Sequence, residues 1–147
     1  MREILFRGKR KDNREWVEGD LHKNKDFSKA HIHPVGEKIR SFDVIPETVG
    51  QYTGVMDKND KKIFEGDILE FGDFIVFVVW NGETLAWECQ KADDIYNSCH
   101  YQICKDHWGL IELGHIAAEP YITGEMTTEI IGNIHDNPEL LKGGAGS

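Results

Sequence analysis

The chain of 147 residues lacks any long apolar run. No stretch approaches the about 18 residues that a membrane-spanning helix needs. Its start, Met1-Arg2-Glu3-Ile4-Leu5-Phe6-Arg7, has no extended apolar core of the kind a secretory signal carries. An intracellular protein is therefore expected. Cysteine is scarce and odd in number, three in all, which excludes a disulfide framework. There is no glycine-rich phosphate loop, no dinucleotide fingerprint and no G-x-S-x-G nucleophile elbow. Positive charge is in deficit as well. Seventeen Lys and Arg face 26 Asp and Glu, a net charge of -9. That sign opposes non-specific nucleic-acid binding, which depends on neutralising phosphates. Lys9-Arg10-Lys11 is the one dense basic run, and beside Asp12 it reads as the solvated flank of a turn rather than a phosphate contact.

What is present is a soluble, globular composition. Hydrophobic residues make up 39% and charged residues 29%. A chain of this length buries roughly 68–70% of its unfolded surface, enough for a core. One phrase occurs twice. Lys11-Asp12-Asn13-Arg14-Glu15-Trp16-Val17-Glu18-Gly19-Asp20-Leu21 returns 47 residues later, without a gap, as Lys58-Asn59-Asp60-Lys61-Lys62-Ile63-Phe64-Glu65-Gly66-Asp67-Ile68. Each copy runs polar turn, short apolar strand, Glu-Gly-Asp. The repeat predicts two similar β-elements, each with a bend at glycine and an aspartate accepting amide hydrogen bonds.

Strands are expected at 3–7, 16–17, 51–55, 62–64, 68–71, 74–80, 84–88, 110–113 and 128–134, and 101–104 could be a strand. Phe74 to Trp80 is a continuous apolar run, which suggests burial on both faces or a strand at a chain–chain interface. Asn81-Gly82 is a two-residue hairpin signal. Residues 22–43 read as a long loop with one short strand near Glu37 to Arg40. Residues 92–96 suit a short helix or a loop. Asn137-Pro138 starts a helix of barely one turn. Seven to nine short strands with little helix predict a mainly β fold, a small barrel or pseudobarrel. The expected division is an N-terminal β-element and long loop over 1–49, a barrel-like core over 50–141, and a flexible tail or cloning scar over 142–147.

The segment from Gln51 to Leu69 resembles the signature of the YopX family of phage and prophage proteins. The opening Arg2-Glu3-Ile4-Leu5-Phe6-Arg7, the lead-in Val44-Ile45-Pro46-Glu47-Thr48-Val49 and the ending from Ile130 to Leu141 agree with it in order. The resemblance implies a C-terminal SH3-like barrel, a phage or prophage origin and action in the cytoplasm of a bacterial host. It carries no catalytic residue. Its structural signature falls on Gln51, Tyr52, Thr53, Gly54, Asp57, Glu65, Gly66 and Asp67. Residues 89–126 depart from the pattern, being longer and richer in Cys, His and aromatics.

Within that departure, Cys99, His100, Cys104 and His107 offer zinc ligands. The two cysteines have no second matching pair, and a His-rich surface loop with one core cysteine is the preferred reading. His31 and His33 could share a strand face, with no carboxylate tied to them by spacing. Cys89 with His115 is no more than any chain with both residues allows, and a structural cysteine is preferred. Asp93-Asp94 would face opposite ways on a strand. Trp80 and Trp87 flank the Asn81-Gly82 signal and are the candidate partner contacts, because aromatics concentrate at interfaces.

The function expected is a non-enzymatic phage accessory protein without a cofactor, which binds a protein partner or itself as a homo-oligomer. A nucleic-acid-binding module on an SH3- or OB-like barrel is the alternative, disfavoured by the net charge. A metal-dependent enzyme using 89–126 ranks lower. Metal analysis of the purified protein should find far less than one equivalent of zinc, and a stoichiometric content would reverse that ranking.

Overall fold

The computed structural model describes residues 3–71, 74–81, 86–91, 100–104, 109–113 and 128–142. They fall in two compact units that divide between Gly54 and Val55. The mainly β expectation holds. Twelve strands are described, with one 3-10 turn and one helical turn.

In the first unit β1 (Phe6–Lys9), β2 (Trp16–Lys23), β3 (Ala30–Pro34) and β4 (Phe42–Val44) form an antiparallel meander. The start of β5 (Gly50–Met56) pairs with the free side of β1, Phe6 opposite Gln51. The strand order is thus β4-β3-β2-β1-β5. The core is Ala30, Ile32 and Val44, with Phe6, Val17, Leu21 and Val49 packed against it. Strand alternation sends Ile32 inward and leaves His31 and His33 half-buried on the outer side. Residues 22–43 are therefore not one long loop but contain the whole of β3 and parts of β2 and β4, and 37–40 carries no strand. The inward set Ala30, Ile32, Val44 is apolar but sparse, and its histidine neighbours mask the period. Pro46 opens the 3-10 turn Pro46–Thr48. There the Thr48 hydroxyl donates to the Ile45 carbonyl and accepts the Lys9 N–H, fixing the turn to β1.

The second unit continues through the end of β5 and β6 (Lys62–Phe64) into β7 (Asp67–Phe71), β8 (Phe74–Asn81), β9 (Ala86–Lys91), β10 (His100–Cys104), β11 (Gly109–Leu113) and β12 (Thr128–Asn133), then α1 (Glu139–Lys142). Strands β7 to β12 form an antiparallel sheet in the order β11-β10-β9-β8-β7-β12. Among the described residues no strand pair closes either sheet into a barrel. Strand β8 is not buried on both faces. Val76 and Val78 are fully buried, while Ile75, Phe77 and Val79 are only half-buried. Asn81 pairs with Ala86, so the β8–β9 connection spans 82–85 and is longer than a two-residue Asn81-Gly82 turn. Residues 92–96 lie outside the described residues. Among the described residues no helix is long and apolar enough to cross a membrane.

The two copies of the repeated phrase fold differently. In the second, Gly66 takes φ +89 at a sharp turn between β6 and β7. A Cβ there would have ordinary room, 3.5 Å from the nearest Ile134 carbon, so the constraint is conformational. In the first, Gly19 lies within β2, paired with Phe6 on one side and Pro34 on the other. A Cβ there would sit 2.0 Å from the His33 carbonyl oxygen, so the constraint is close approach of two backbones. Asp20 is exposed whereas Asp67 is buried. The expected bend with its buried aspartate thus exists in the second copy only.

This difference predicts opposite substitution orders. At Gly66, Asn should cost less than Ala, because Asn tolerates positive φ and Ala pays about 1–2 kcal/mol. At Gly19, Asn should cost at least as much as Ala, because any added atom meets the β3 backbone. Urea unfolding of the four variants checks this, and equal costs for Ala and Asn at Gly66 would count against a conformational role.

Candidate functional site

The signature residues are best taken by unit. In the first, Gln51, Tyr52, Thr53 and Gly54 lie on β5. The Tyr52 N–H donates to the Leu5 carbonyl, and burial, with the nearby Glu3 charge, pushes the Tyr52 hydroxyl above its ordinary range. These residues tie β5 to the start of the chain.

In the second unit the signature is a set of backbone amides held by carboxylates. Asp57 is 2% exposed. Its Oδ1 accepts N–H bonds from Asn59 and Lys61 at 2.8 and 2.9 Å. Its Oδ2 accepts the Ile130 N–H of β12 at 3.0 Å. The turn it organises is closed by the Asp57 N–H on the Lys61 carbonyl, with Asp60 at φ +61. Asp is suited to this position because its short carboxylate reaches amides two and four residues on. Above the turn, Lys58 pairs with Glu129 at 3.4 Å, an exposed contact of little energetic weight.

Gly66 lies at the next junction, after Glu65. Its N–H donates to the Val78 carbonyl of β8, and its carbonyl accepts the Ile134 N–H. Asp67, 1% exposed, accepts the Phe64 N–H on Oδ2 at 2.7 Å and closes the turn. Beyond β12, Asn133 Oδ1 accepts the N–H groups of His135 and Asp136. The signature and the chain's ending, 61 residues or more apart in sequence, are thus one hydrogen-bonded assembly. Asp57 spends three bonds on backbone amides, the arrangement of a structural carboxylate.

Trp80 and Trp87 face each other across β8 and β9. Their rings meet edge-on at 5.0 Å. Trp80 is 43% exposed and Trp87 only 8%. Among the described residues the buried Trp87 indole N–H has no acceptor.

For the zinc candidates, His100 and Cys104 are the two ends of β10, while Cys99 and His107 lie outside the described residues, as do Asp93, Asp94 and His115. Cys89 lies on β9. Among the described residues no three His, Cys, Asp or Glu are grouped to hold a metal. His31 and His33 do share a face of β3, but the imidazole brought against His31 is His22, stacked at 5.4 Å from the paired strand.

Sequence reasoning missed a cleft in the first unit. It holds about 480 Å³ and is lined by Lys11, His22, Lys23, Lys29, His31 and Asp43, with Asn24 and Ala30. Its residues come from the β1–β2 and β2–β3 connections and three strands, so the register of β2, β3 and β4 assembles them. No linear motif signals it.

The geometry defines a class: a mainly β protein of two antiparallel units whose repeated motif serves backbone architecture. The profile of the family described as "YopX protein" matches residues 5–142, nearly the whole chain, and the protein belongs to the YopX family. Among solved structures it is similar to protein EF1440 from Enterococcus faecalis, at 22% identity and a TM-score of 0.42, over 96% of this chain and 99% of that one. No curated protein matches the chain.

The Asp57 assembly gives a direct test. Asp57→Ala strands three amides, each costing about 1–3 kcal/mol if left unsatisfied. A loss of at least about 3 kcal/mol in urea unfolding is expected, with Asp57→Asn intermediate. A loss below about 1 kcal/mol would show that water replaces the carboxylate.

Proposed function

We propose that this YopX-family chain is a non-enzymatic binding module that acts by self-assembly, with the β8–β9 hairpin as its contact. The observation that carries this reading is Trp80, 43% exposed and braced edge-on against buried Trp87. A rigid, half-exposed indole on a supported strand loses little side-chain entropy on association and adds a large apolar area, which is why tryptophan dominates interface energetics. Strand alternation puts Trp80 on the same face of β8 as the buried Val76 and Val78, which anchor the strand that carries it. The buried carboxylates Asp57 and Asp67 are committed to amides, which supports a role without catalysis. Phage or prophage origin, and action in the bacterial cytoplasm, belong to the same proposal and rest on the family alone.

Sedimentation velocity of the purified chain should show association at high micromolar concentration. Trp80→Ala should weaken it by about thirtyfold, the loss of about 2 kcal/mol that marks an interface hot spot. The variant should keep its fold, since Trp80 is partly exposed. A wild-type chain that stays monomeric through that range would remove self-assembly and leave a different protein as the partner to seek.

A further inference from the structure

The first unit carries charge of the opposite sign to the chain. Residues 1–54 hold eleven Lys and Arg against nine Asp and Glu, and residues 55–147 hold six against seventeen. The first unit is thus +2 and the second -11, and the argument that the summed -9 makes against anionic ligands does not apply to the first. There the basic groups converge. Lys11, Lys23 and Lys29 line the 480 Å³ cleft with the imidazoles of His22 and His31. Among the described residues no ion pair engages Lys11 or Lys29.

The walls are set in advance of any ligand. The β2–β3 connection between Lys23 and Lys29 is held by hydrogen bonds within itself. The Asn24 N–H donates to the Lys29 carbonyl, and the Lys29 N–H to Asn24 Oδ1. Asn24 Nδ2 donates to the Ser28 hydroxyl, and the Ser28 N–H to Asp26 Oδ1. The Ser28 hydroxyl and N–H hold the Asp26 carboxyl below its ordinary range. Phe27, at φ +60, lies under the Lys23 ammonium at 5.2 Å. On the opposite wall the Lys11 N–H donates to the Asp43 carbonyl, fixing the β1–β2 connection against β4. A second cleft of about 390 Å³ shares Lys11 and Asp43 and extends past Phe42, whose ring carries the Arg10 guanidinium at 4.0 Å. The backbone that carries the lysines is thus set beforehand, which leaves only their side chains to be ordered on binding.

We propose that this cleft binds a nucleoside phosphate, either as a free nucleotide or as part of a nucleic-acid strand. Three ammonium groups and two imidazole donors suit phosphate oxygens. The same three cations repel a metal ion. Asp43, the single carboxylate among the lining groups, is an acceptor for a sugar hydroxyl or a base amine, which inorganic phosphate lacks. The volume falls in the range of small-ligand sites, about 300–1,000 Å³.

Fluorescence anisotropy with a labelled mononucleotide and with a labelled short single strand tests this on the full chain. Saturable binding of at least one probe is expected. Lys29→Glu should weaken it by about tenfold, whereas Lys38→Glu, the same charge change on an exposed residue outside the cleft, should leave it nearly unchanged. Both lysines are exposed, and circular dichroism of each variant confirms its fold. For the strand, three phosphate contacts predict a loss of about twentyfold between about 50 mM and about 200 mM salt. Binding of the mononucleotide points to a free nucleotide, and binding of the strand alone points to a chain. No saturable binding of either probe, or variants that lower it equally or not at all, would overturn the proposal.

Discussion

The carboxylate of Asp57 is the constraint on which the second unit depends. A buried charge is tolerated only where hydrogen bonds replace lost water. Here both oxygens are used, Oδ1 on the turn that follows and Oδ2 on a strand 73 residues away. The position therefore joins local turn chemistry to long-range strand placement. Gly66 repeats the logic with backbone groups alone, its N–H directed to β8 and its carbonyl to the segment after β12. The two ends of the unit are held by polar contacts whose geometry permits few substitutes. The family signature and the family ending are conspicuous in sequence because they are two sides of this one assembly.

Similar words need not mean similar structures. Gly19 and Gly66 stand in the same Glu-Gly-Asp phrase, yet one is a flat strand residue with a carbonyl 2.0 Å from where a Cβ would be, and the other a left-handed turn. The reason lies in what surrounds each copy. The first phrase continues as an eight-residue strand with neighbours on both sides, and pairing holds the backbone extended through the glycine. The second must reverse after three residues of β6, and glycine accepts the positive φ that the reversal requires.

The second unit was legible strand by strand because its segments are apolar and short. Lys62–Phe64 was located to the residue and Phe74–Asn81 to within one. The stretch 22–43 was not, since its inward residues are few and alternate with histidines and lysines whose burial depends on the neighbouring strand. The same stretch supplies most of the cationic cleft. A site built from register, with Lys11, His31 and Asp43 far apart in the chain, leaves no spacing to read. The net charge is coarse for a related reason: a sum over 147 residues conceals two units of opposite sign.

By itself the sequence determined the β class, the family and the positions where glycine and aspartate are required, because turn chemistry and strand alternation are local. The tertiary structure decided which glycine bends and which is pressed between strands, and that Asp57 reaches Ile130. It also decided that His22 stacks on His31 among three lysines. Each of those outcomes depends on strand pairing, and pairing is set by contacts between residues that the linear order keeps apart.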